Sequence, residues 1–152
     1  MKWRLEVAVQ TPAHSALGGM LSYASDEAPP PGTLVRVPLG RREVLGVVWE
    51  AVARGNDGND GHEEAEGTTD GPGNGPGDVP GLALKPVAAI LDGVAPLADG
   101  WRDLVAFAAR YYQRSLGEVA LAALPPQLRD LTGVQLARRL KRRAGAAQAH
   151  AA

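Results

Sequence analysis

Cysteine is absent from the 152 residues of this chain, and so is any apolar run long enough to cross a membrane. Without cysteine the chain can form neither a disulfide framework nor a thiolate metal site. A membrane-spanning helix would need about 20 consecutive apolar residues. Residues 1–6 alternate charged and apolar side chains and contain no apolar core of a signal peptide. These absences fit a reducing compartment, so we expect a cytoplasmic protein without a membrane partner.

Motifs of the common enzyme classes are also missing. The chain has neither a G-x-x-x-x-G-K-[ST] motif nor a G-x-G-x-x-G motif after a predicted strand, which excludes both standard phosphate-binding loops. Its three histidines, His14, His62 and His150, fall in predicted loops or tails, without the spacing of a zinc site. We therefore expect no catalytic residue, no metal and no cofactor in this chain, and no enzyme activity from it alone.

Charge is distributed unevenly along the chain. Of its 17 acidic residues, seven lie in residues 55–80, a window with no lysine or arginine, although the formal net charge of the whole is only −1. Outside the window, 16 basic residues face 10 acidic ones, a net charge of +6. The window is also rich in glycine and buries too little apolar surface to offset its ordering entropy. We expect it to be a disordered insertion, and the basic remainder suggests a polyanionic partner.

Residues 34–50 predict a β-hairpin. Apolar residues alternate with Arg36 and Pro38 in the first half, which is the period of a half-buried strand. Pro38 has no N–H to donate, so this strand should lie at an edge or end there. Gly40 can adopt the backbone conformation that a tight reversal needs. Gly46 interrupts the β-branched second half, which predicts a bulge, a bend or the close approach of another group.

Three arginines surround this turn: Arg36, Arg41 and Arg42. One interpretation is that they are solvated hairpin charges, which also protect an edge strand from aggregation. The other is that they form a cationic rim around an exposed backbone, suited to phosphate groups. Composition alone favours the first interpretation, because charged hairpin tips are common.

Further strands are predicted over residues 3–9, 20–24 and 82–91, the last made irregular by Pro86. From residue 97 the apolar period changes to that of an amphipathic helix, which predicts a helix over residues 98–113.

A shorter helix is predicted over residues 115–123, where a serine and a glutamate form a capping box at the start and two prolines follow the end. The spacing of Tyr111 and Tyr112 at the end of the first helix favours a place in the core, although tyrosines there could also stack on bases.

Together these elements predict an α+β fold. A small antiparallel, partly barrel-like sheet would occupy residues 1–95, and residues 96–128 would form a C-terminal helix pair packed on it. Residues 129–152, weakly helical and strongly basic, would be a largely unstructured tail or linker. Its cations are either solvated or contact phosphates without regard to sequence.

Two motifs carry a family resemblance. The more specific is a Tyr-Tyr pair followed by x-x-x-x-G-[ED]-V and a Leu-Pro stop, within L-V-A-F-A-A-R-Y-Y-Q-R-S-L-G-E-V-A-L-A-A-L-P-P-Q-L-R. The other is R-V-P-x-G in the hairpin, and L-K-P-V-A-A-I-L-D lies between the two. Over residues 5–50 and 82–129 the chain resembles the N-terminal part of primosomal protein N′, the PriA replication-restart helicase.

The resemblance implies a DNA-binding role at replication forks. The family's N-terminal module captures the 3′ end of a nascent leading strand with an aromatic–Asp–Tyr triplet, a hairpin glycine and a lysine. These positions fall here on Leu21, Ser22, Tyr23, Gly40 and Lys85. Leu21 removes a base-stacking ring, and Ser22 accepts a hydrogen bond from a 3′-hydroxyl more weakly than a carboxylate would. We therefore expect DNA binding with a reduced preference for a free 3′ end.

In this interpretation Arg36, Arg41 and Arg42 join Lys85 in neutralising phosphates. The resemblance also implies a monomer at the nucleoid, with primosome and single-strand-binding proteins as further partners. The family's motor, which uses ATP, magnesium and structural zinc, lies outside the region of resemblance. An alternative of a different class is a protein-interaction module that docks replication or repair proteins through its sheet edge and acidic insertion, without recognising DNA ends.

Overall fold

The computed structural model describes residues 1–12, 18–54 and 83–150, with residues 133 and 143–150 described by their backbone alone. Its elements are β1 (Trp3–Val9), β2 (Met20–Ser25), β3 (Leu34–Leu39), β4 (Arg42–Ala53), β5 (Ala89–Ile90), α1 (Asp99–Tyr111), α2 (Leu116–Ala122), α3 (Pro126–Arg129) and α4 (Gly133–His150). The expected acidic insertion, residues 55–80, lies outside the described residues, as do His14 and His62. No helix in the described part of the chain is both long and apolar enough to cross a membrane.

The strands form one antiparallel sheet in the order β2-β1-β4-β3-β5, followed in sequence by the helices. The predicted hairpin is confirmed: β3 and β4 pair from Leu34 to the turn, where Leu39 lies opposite Arg42. Gly40, the first residue of the two-residue turn, has a φ of +63°. Glycine suits this position because a Cβ disfavours positive φ, and turns of this kind match the twist of the strands they join. The α+β class is confirmed as well.

One short segment, residues 85–90, links the two sides of the open sheet: it contains the edge strand β5, which pairs with β3, and it also contacts β2 at the opposite edge. Ala24 of β2 donates its N–H to the carbonyl of Lys85 and accepts a hydrogen bond from the N–H of Val87, both at 2.9 Å. The next residue, Ala88, donates its N–H to the carbonyl of Arg36 in β3, also at 2.9 Å. The sheet is therefore curled, so that its two edges approach each other without closing a barrel.

The strand predicted over residues 82–91 is much shorter in the structure. Only Ala89 and Ile90 form a strand, and Pro86 makes a single parallel bridge to Ala24. Because proline has no N–H to donate, the ladder cannot run through that position, and the segment passes from β2 to β3.

Both faces of the curled sheet are buried. The inner face packs apolar side chains from four strands: Leu5, Val7, Val9, Tyr23, Val35, Val37 and Val48. The outer face packs against the helices through a second set that includes Ala8, Leu34, Leu45, Val47, Val105, Ala120, Leu121 and Leu136. Since successive side chains of a strand point to opposite faces, β3 contributes to both cores in turn.

Gly46 in β4 permits a close approach, one of its three predicted roles. An ideal Cβ at this position would overlap Cγ1 of Val7 and lie 3.1 Å from Cγ1 of Val9, so a side chain there would disrupt the inner core. The register irregularity of β4 occurs elsewhere, because Glu6 and Val7 of β1 pair with Glu50 and Val48 and skip the residue between them.

The helix pair forms where the apolar period predicts it. α1 lies within the predicted residues 98–113, and α2 follows Ser115, whose side chain accepts a hydrogen bond from the N–H of Glu118 at 3.2 Å. The capping box is thus confirmed on its serine side.

Two features of the helical region differ from the expectations. Tyr111 and Tyr112 are each 69% exposed, so the prediction that they pack in the core is wrong. The tail expected to be largely unstructured forms helix α4. Its start is fixed by reciprocal hydrogen bonds between Thr132 and Gln135, at 3.1 and 3.3 Å, which form a second capping box. The prediction from the basic composition of the tail did not take this capping box into account.

Candidate nucleic-acid interface

Tyr23 spans from one edge of the sheet to the hairpin. Its side chain is 3% exposed in the inner core, and its hydroxyl donates a hydrogen bond to the carbonyl of Pro38 at 3.0 Å. Burial raises the pKa of the Tyr23 phenol above its ordinary value, so the group stays protonated and remains a donor. Tyr23 thereby holds the end of β3, two residues before Gly40, against β2.

Lys85 is fixed beside Tyr23 through the backbone. Its carbonyl accepts the N–H of Ala24, and its side chain is exposed and forms no ion pair with any residue that the structure describes. Three positions that are far apart in sequence, Tyr23, the hairpin turn and Lys85, are therefore linked by two hydrogen bonds. A free ammonium in this setting is available to a phosphate.

The hairpin turn offers open backbone and charge. Among the described residues, no atom apart from those of Gly40 and its two chain neighbours lies within 4 Å of an ideal Cβ at Gly40, so another molecule can approach its backbone. Arg41 and Arg42 are exposed, and neither forms an ion pair within the described chain. Arg42 also borders a cavity of about 490 Å³, whose wall carries Glu43 as well as Arg129. Because that cavity mixes both signs of charge, a polyanion is better suited to the open turn.

Leu21 and Ser22 lie on opposite faces of β2. Leu21 packs against the inner core and is partly buried. Ser22 instead donates its hydroxyl to the carboxylate of Glu6 in β1, at 2.8 and 2.9 Å to the two oxygens. Glu6 also pairs with Arg4 at 3.0 Å. A carboxylate accepts about four hydrogen bonds, so Glu6 retains capacity for one more donor. Sequence reasoning missed Glu6; only the strand register, which places it opposite Ser22, could have found it.

Arg36 does not belong to the cationic rim. Its residue is 7% exposed, and its Nε donates to the carbonyl oxygen of Leu131 at 3.0 Å, with Nη2 donating to the same oxygen. The side chain points to the outer face, where the helices cover it, because the alternation of β3 places it opposite Val35 and Val37. The structure therefore corrects the expectation that Arg36 neutralises a phosphate: this guanidinium joins β3 to the chain that leads into α4.

An exposed aromatic stripe on α1 was also missed. We name the residues Leu104, Phe107 and Tyr111 the α1 stripe; they are 66%, 57% and 69% exposed. The rings of Phe107 and Tyr111 stack with centroids 5.9 Å apart, and Tyr112 meets Tyr111 edge-on at 5.0 Å. The i, i+3, i+7 spacing is visible in the sequence, but periodicity alone does not separate it from the buried face of the helix.

Comparison with protein families identifies a match to most of this chain. The family model for the 3′ DNA-binding domain of PriA matches residues 6–125. The match begins in β1 and ends after α2, so it includes nearly the whole sheet, the hairpin turn and Lys85. It covers more than three quarters of the chain, and a domain of this type binds DNA and is not catalytic. The chain therefore belongs to the PriA 3′ DNA-binding domain family, as a DNA-binding module connected with replication restart.

Proposed function

We propose that this module recognises forked DNA and holds the 3′ end of the nascent strand beside the hairpin turn. The observation that supports the proposal is a pair of links from neighbouring residues of β2: Tyr23 holds Pro38 before the open turn, and Ala24 holds the segment that carries the exposed Lys85. Lys85, Arg41 and Arg42 neutralise phosphates in this proposal, and Gly40 lets the terminal nucleotide approach the main chain. Tyr23 acts as a positioning residue, since its buried ring cannot stack on a base.

Glu6 supplies the carboxylate that Ser22 lacks. It lies within hydrogen-bond distance of the Ser22 hydroxyl and is partly exposed, so a deoxyribose 3′-hydroxyl that reaches Ser22 meets a carboxyl acceptor. In this proposal the preference for a free 3′ end depends on Glu6, and the affinity for the strand depends on the cations. Binding requires no metal or nucleotide cofactor, and the module acts as a monomer in the cytoplasm, at the nucleoid.

The Lys85→Ala variant tests the phosphate contact. We expect weaker binding to a fork with a free 3′ end, and a slope of log affinity against log salt that is shallower by about 0.7 to 0.9, because one phosphate is no longer neutralised. Fluorescence anisotropy of a labelled fork over a series of salt concentrations measures both. Arg110→Ala removes the same charge from the exposed face of α1 and should leave the slope unchanged. Equal slopes for Lys85→Ala and the wild type would remove Lys85 from the interface.

The same titrations separate end recognition from general affinity. A fork whose 3′-hydroxyl is replaced by a 3′-phosphate offers no hydroxyl donor to the carboxylate. In Glu6→Gln the two forks should bind more equally than in the wild type, and adding Ser22→Asp to that variant should restore the difference. An unchanged ratio in Glu6→Gln would assign the end preference to other groups.

The α1 stripe favours a second candidate function, the docking of a replication protein. Exposed, adjacent aromatic side chains are enriched at protein interfaces. A separate groove, between α1 and α2, is bordered by Arg110 and Arg114 over an apolar floor that includes Ala109 and Leu116, and it shares no lining residue with the stripe. The α1 stripe itself suits an apolar segment of a partner protein. It differs from the sheet edge and acidic insertion that the sequence suggested, and it leaves the hairpin turn free for DNA.

A double variant tests this second function. We expect Phe107→Ala with Tyr111→Ala to lower the affinity for a purified single-strand-binding protein by about 10-fold or more, since buried aromatic anchors dominate such interfaces. Affinity for forked DNA should not change. The control Asp103→Ala alters an exposed residue of the same helix outside the α1 stripe. Isothermal titration calorimetry measures the affinity for the protein. Weaker DNA binding with unchanged protein binding would instead show that the rings stack on bases.

A further inference from the structure

Helix α4 carries an exposed cationic face that neither the hairpin site nor the family match includes. The match ends at residue 125, before α3 and α4 begin. Arg138, Arg139, Lys141 and Arg142 are all exposed, and none of the four forms an ion pair with another described residue. The sequence contains no aspartate or glutamate after Asp130, so nothing on this helix can neutralise them.

The helix is anchored so that this face points away from the domain. Leu136 is 6% exposed in the outer core, and Leu140 packs against it, one helical turn further along. An ideal Cβ at Gly93 would lie 2.6 Å from Cδ1 of Leu140, so the helix is seated closely on the loop after β5. At about 100° per residue, Arg138 and Arg142 project from the side opposite Leu136 and Leu140. The apolar side fixes the helix and the cationic side faces solvent.

These four cations are close enough together to repel one another. Arg138 is three residues from Lys141 and four from Arg142, and like charges at these spacings repel and destabilise a helix. They span about 6 Å of helix axis, at about 1.5 Å per residue. Duplex DNA is comparably dense, with one charge per about 1.7 Å of axis. No aromatic side chain lies on this face to stack on unpaired bases.

We propose that α4 binds the duplex arm of the DNA through its phosphates, as an interface separate from the hairpin site. The inference rests on the proposed function, because it assumes that the strand end is held elsewhere on the same domain. Arg36 connects the hairpin to α4, since its guanidinium donates to the carbonyl of Leu131 directly before the capping box of α4. The interaction is independent of base sequence, because arginine and lysine on phosphates carry no base information.

A closed dumbbell duplex, which has no strand end, isolates this interaction. In the full chain, changing Arg138, Arg139, Lys141 and Arg142 to glutamine should weaken dumbbell binding and make the salt slope shallower by about 0.9 for each phosphate that is no longer neutralised. Glutamine keeps a helix propensity close to that of arginine and lysine, and circular dichroism checks that α4 persists. Changing the three arginines to lysine keeps the charge and should retain most of the slope.

Two comparisons decide the outcome. The ratio of affinities for 3′-hydroxyl and 3′-phosphate forks should not change in the glutamine variant, because that ratio reports the hairpin site. Arg54→Ala, which removes an exposed cation that belongs to neither interface, should leave dumbbell binding unchanged. Because the dumbbell has no strand end, this comparison does not depend on the 3′-end proposal. An unaltered salt slope on the dumbbell in the glutamine variant would overturn the role of α4. A weakening confined to single-stranded oligothymidine would overturn its assignment to the duplex.

Discussion

Replacing Gly117 with alanine is expected to lower the free energy of unfolding by about 3 kcal/mol or more, although alanine usually favours a helix over glycine by about 1 kcal/mol. An ideal Cβ at Gly117 would overlap the backbone carbonyl of Val9 and lie 2.7 Å from the carbonyl oxygen of Gly19. Val9 is the last residue of β1. The clash is therefore with the backbone of the sheet, which cannot move aside as a flexible side chain can.

Gly19 and Gly117 both lie against the backbone of the other segment, so a small local shift would not relieve the clash. An ideal Cβ at Gly19 would lie 2.7 Å from the backbone nitrogen of Gly117. Gly19 is itself held to β1, because the N–H of Val9 donates to its carbonyl at 2.9 Å. An added methyl group at residue 117 would lift the start of α2 from the sheet and withdraw Ala120 and Leu121, which are 0% and 2% exposed, from the outer core. The glycine of the G-[ED]-V motif is thus a packing requirement.

Gly100 in α1 provides the matched control. In the part of the chain that the structure describes, no atom beyond its chain neighbours and its own helix backbone lies within 4 Å of an ideal Cβ there, so Gly100→Ala should stabilise the domain by about 0.5 to 1 kcal/mol. Urea unfolding followed by circular dichroism compares both variants with the wild type. If Gly117→Ala stabilised the domain as Gly100→Ala does, the backbone contact between α2 and β1 would not exist in solution.

The hairpin and α1 were predictable because a local period determines them. Alternation from Val35 to Leu39 and a glycine at the turn specify β3, β4 and their register. α1 was predicted to within two residues at each end. Which side of α1 is exposed was not predicted, because α1 carries two apolar stripes. Val105 and Ala109 are buried, whereas the α1 stripe is exposed. Periodicity detects an apolar stripe but does not say which stripe another element covers.

The sequence could suggest candidate site residues but not the surroundings of their side chains. The resemblance selected Tyr23, Gly40 and Lys85, and the structure links their segments through the Pro38 and Ala24 hydrogen bonds. The resemblance could not show that Tyr23 is buried, nor that Glu6 lies beside Ser22. Both facts depend on cross-strand register and on the curl of the sheet, which arise from contacts between residues distant in sequence.

Arg36 was predicted at the exposed rim of the site but is buried by contacts with residues distant in sequence. Its replacement is the second large effect that we expect. Arg36→Ala should lower the free energy of unfolding by about 2 to 4 kcal/mol, because it removes a packed side chain and a charge-assisted hydrogen bond. The carbonyl of Leu131, whose residue is 7% exposed, would also lose this donor. Arg41→Ala, at the exposed turn of the same hairpin, should change stability by no more than about 0.5 kcal/mol. Urea unfolding measures both.

When DNA binding is measured instead of stability, the replacement of Arg41 should have the larger effect and the replacement of Arg36 the smaller one. Arg41→Ala should make the salt slope on forked DNA shallower by about 0.7 to 0.9, whereas Arg36→Ala, assayed where it remains folded, should leave that slope unchanged. Arg36→Met tests the stability argument further. It keeps much of the apolar volume but cannot donate to Leu131, so it should remain less stable than the wild type. Methionine at this position could stabilise the domain only if burying the guanidinium costs more than its hydrogen bonds return. That result would mean that the arginine is retained for another reason, and a shallower salt slope in the same variant would identify that reason as DNA.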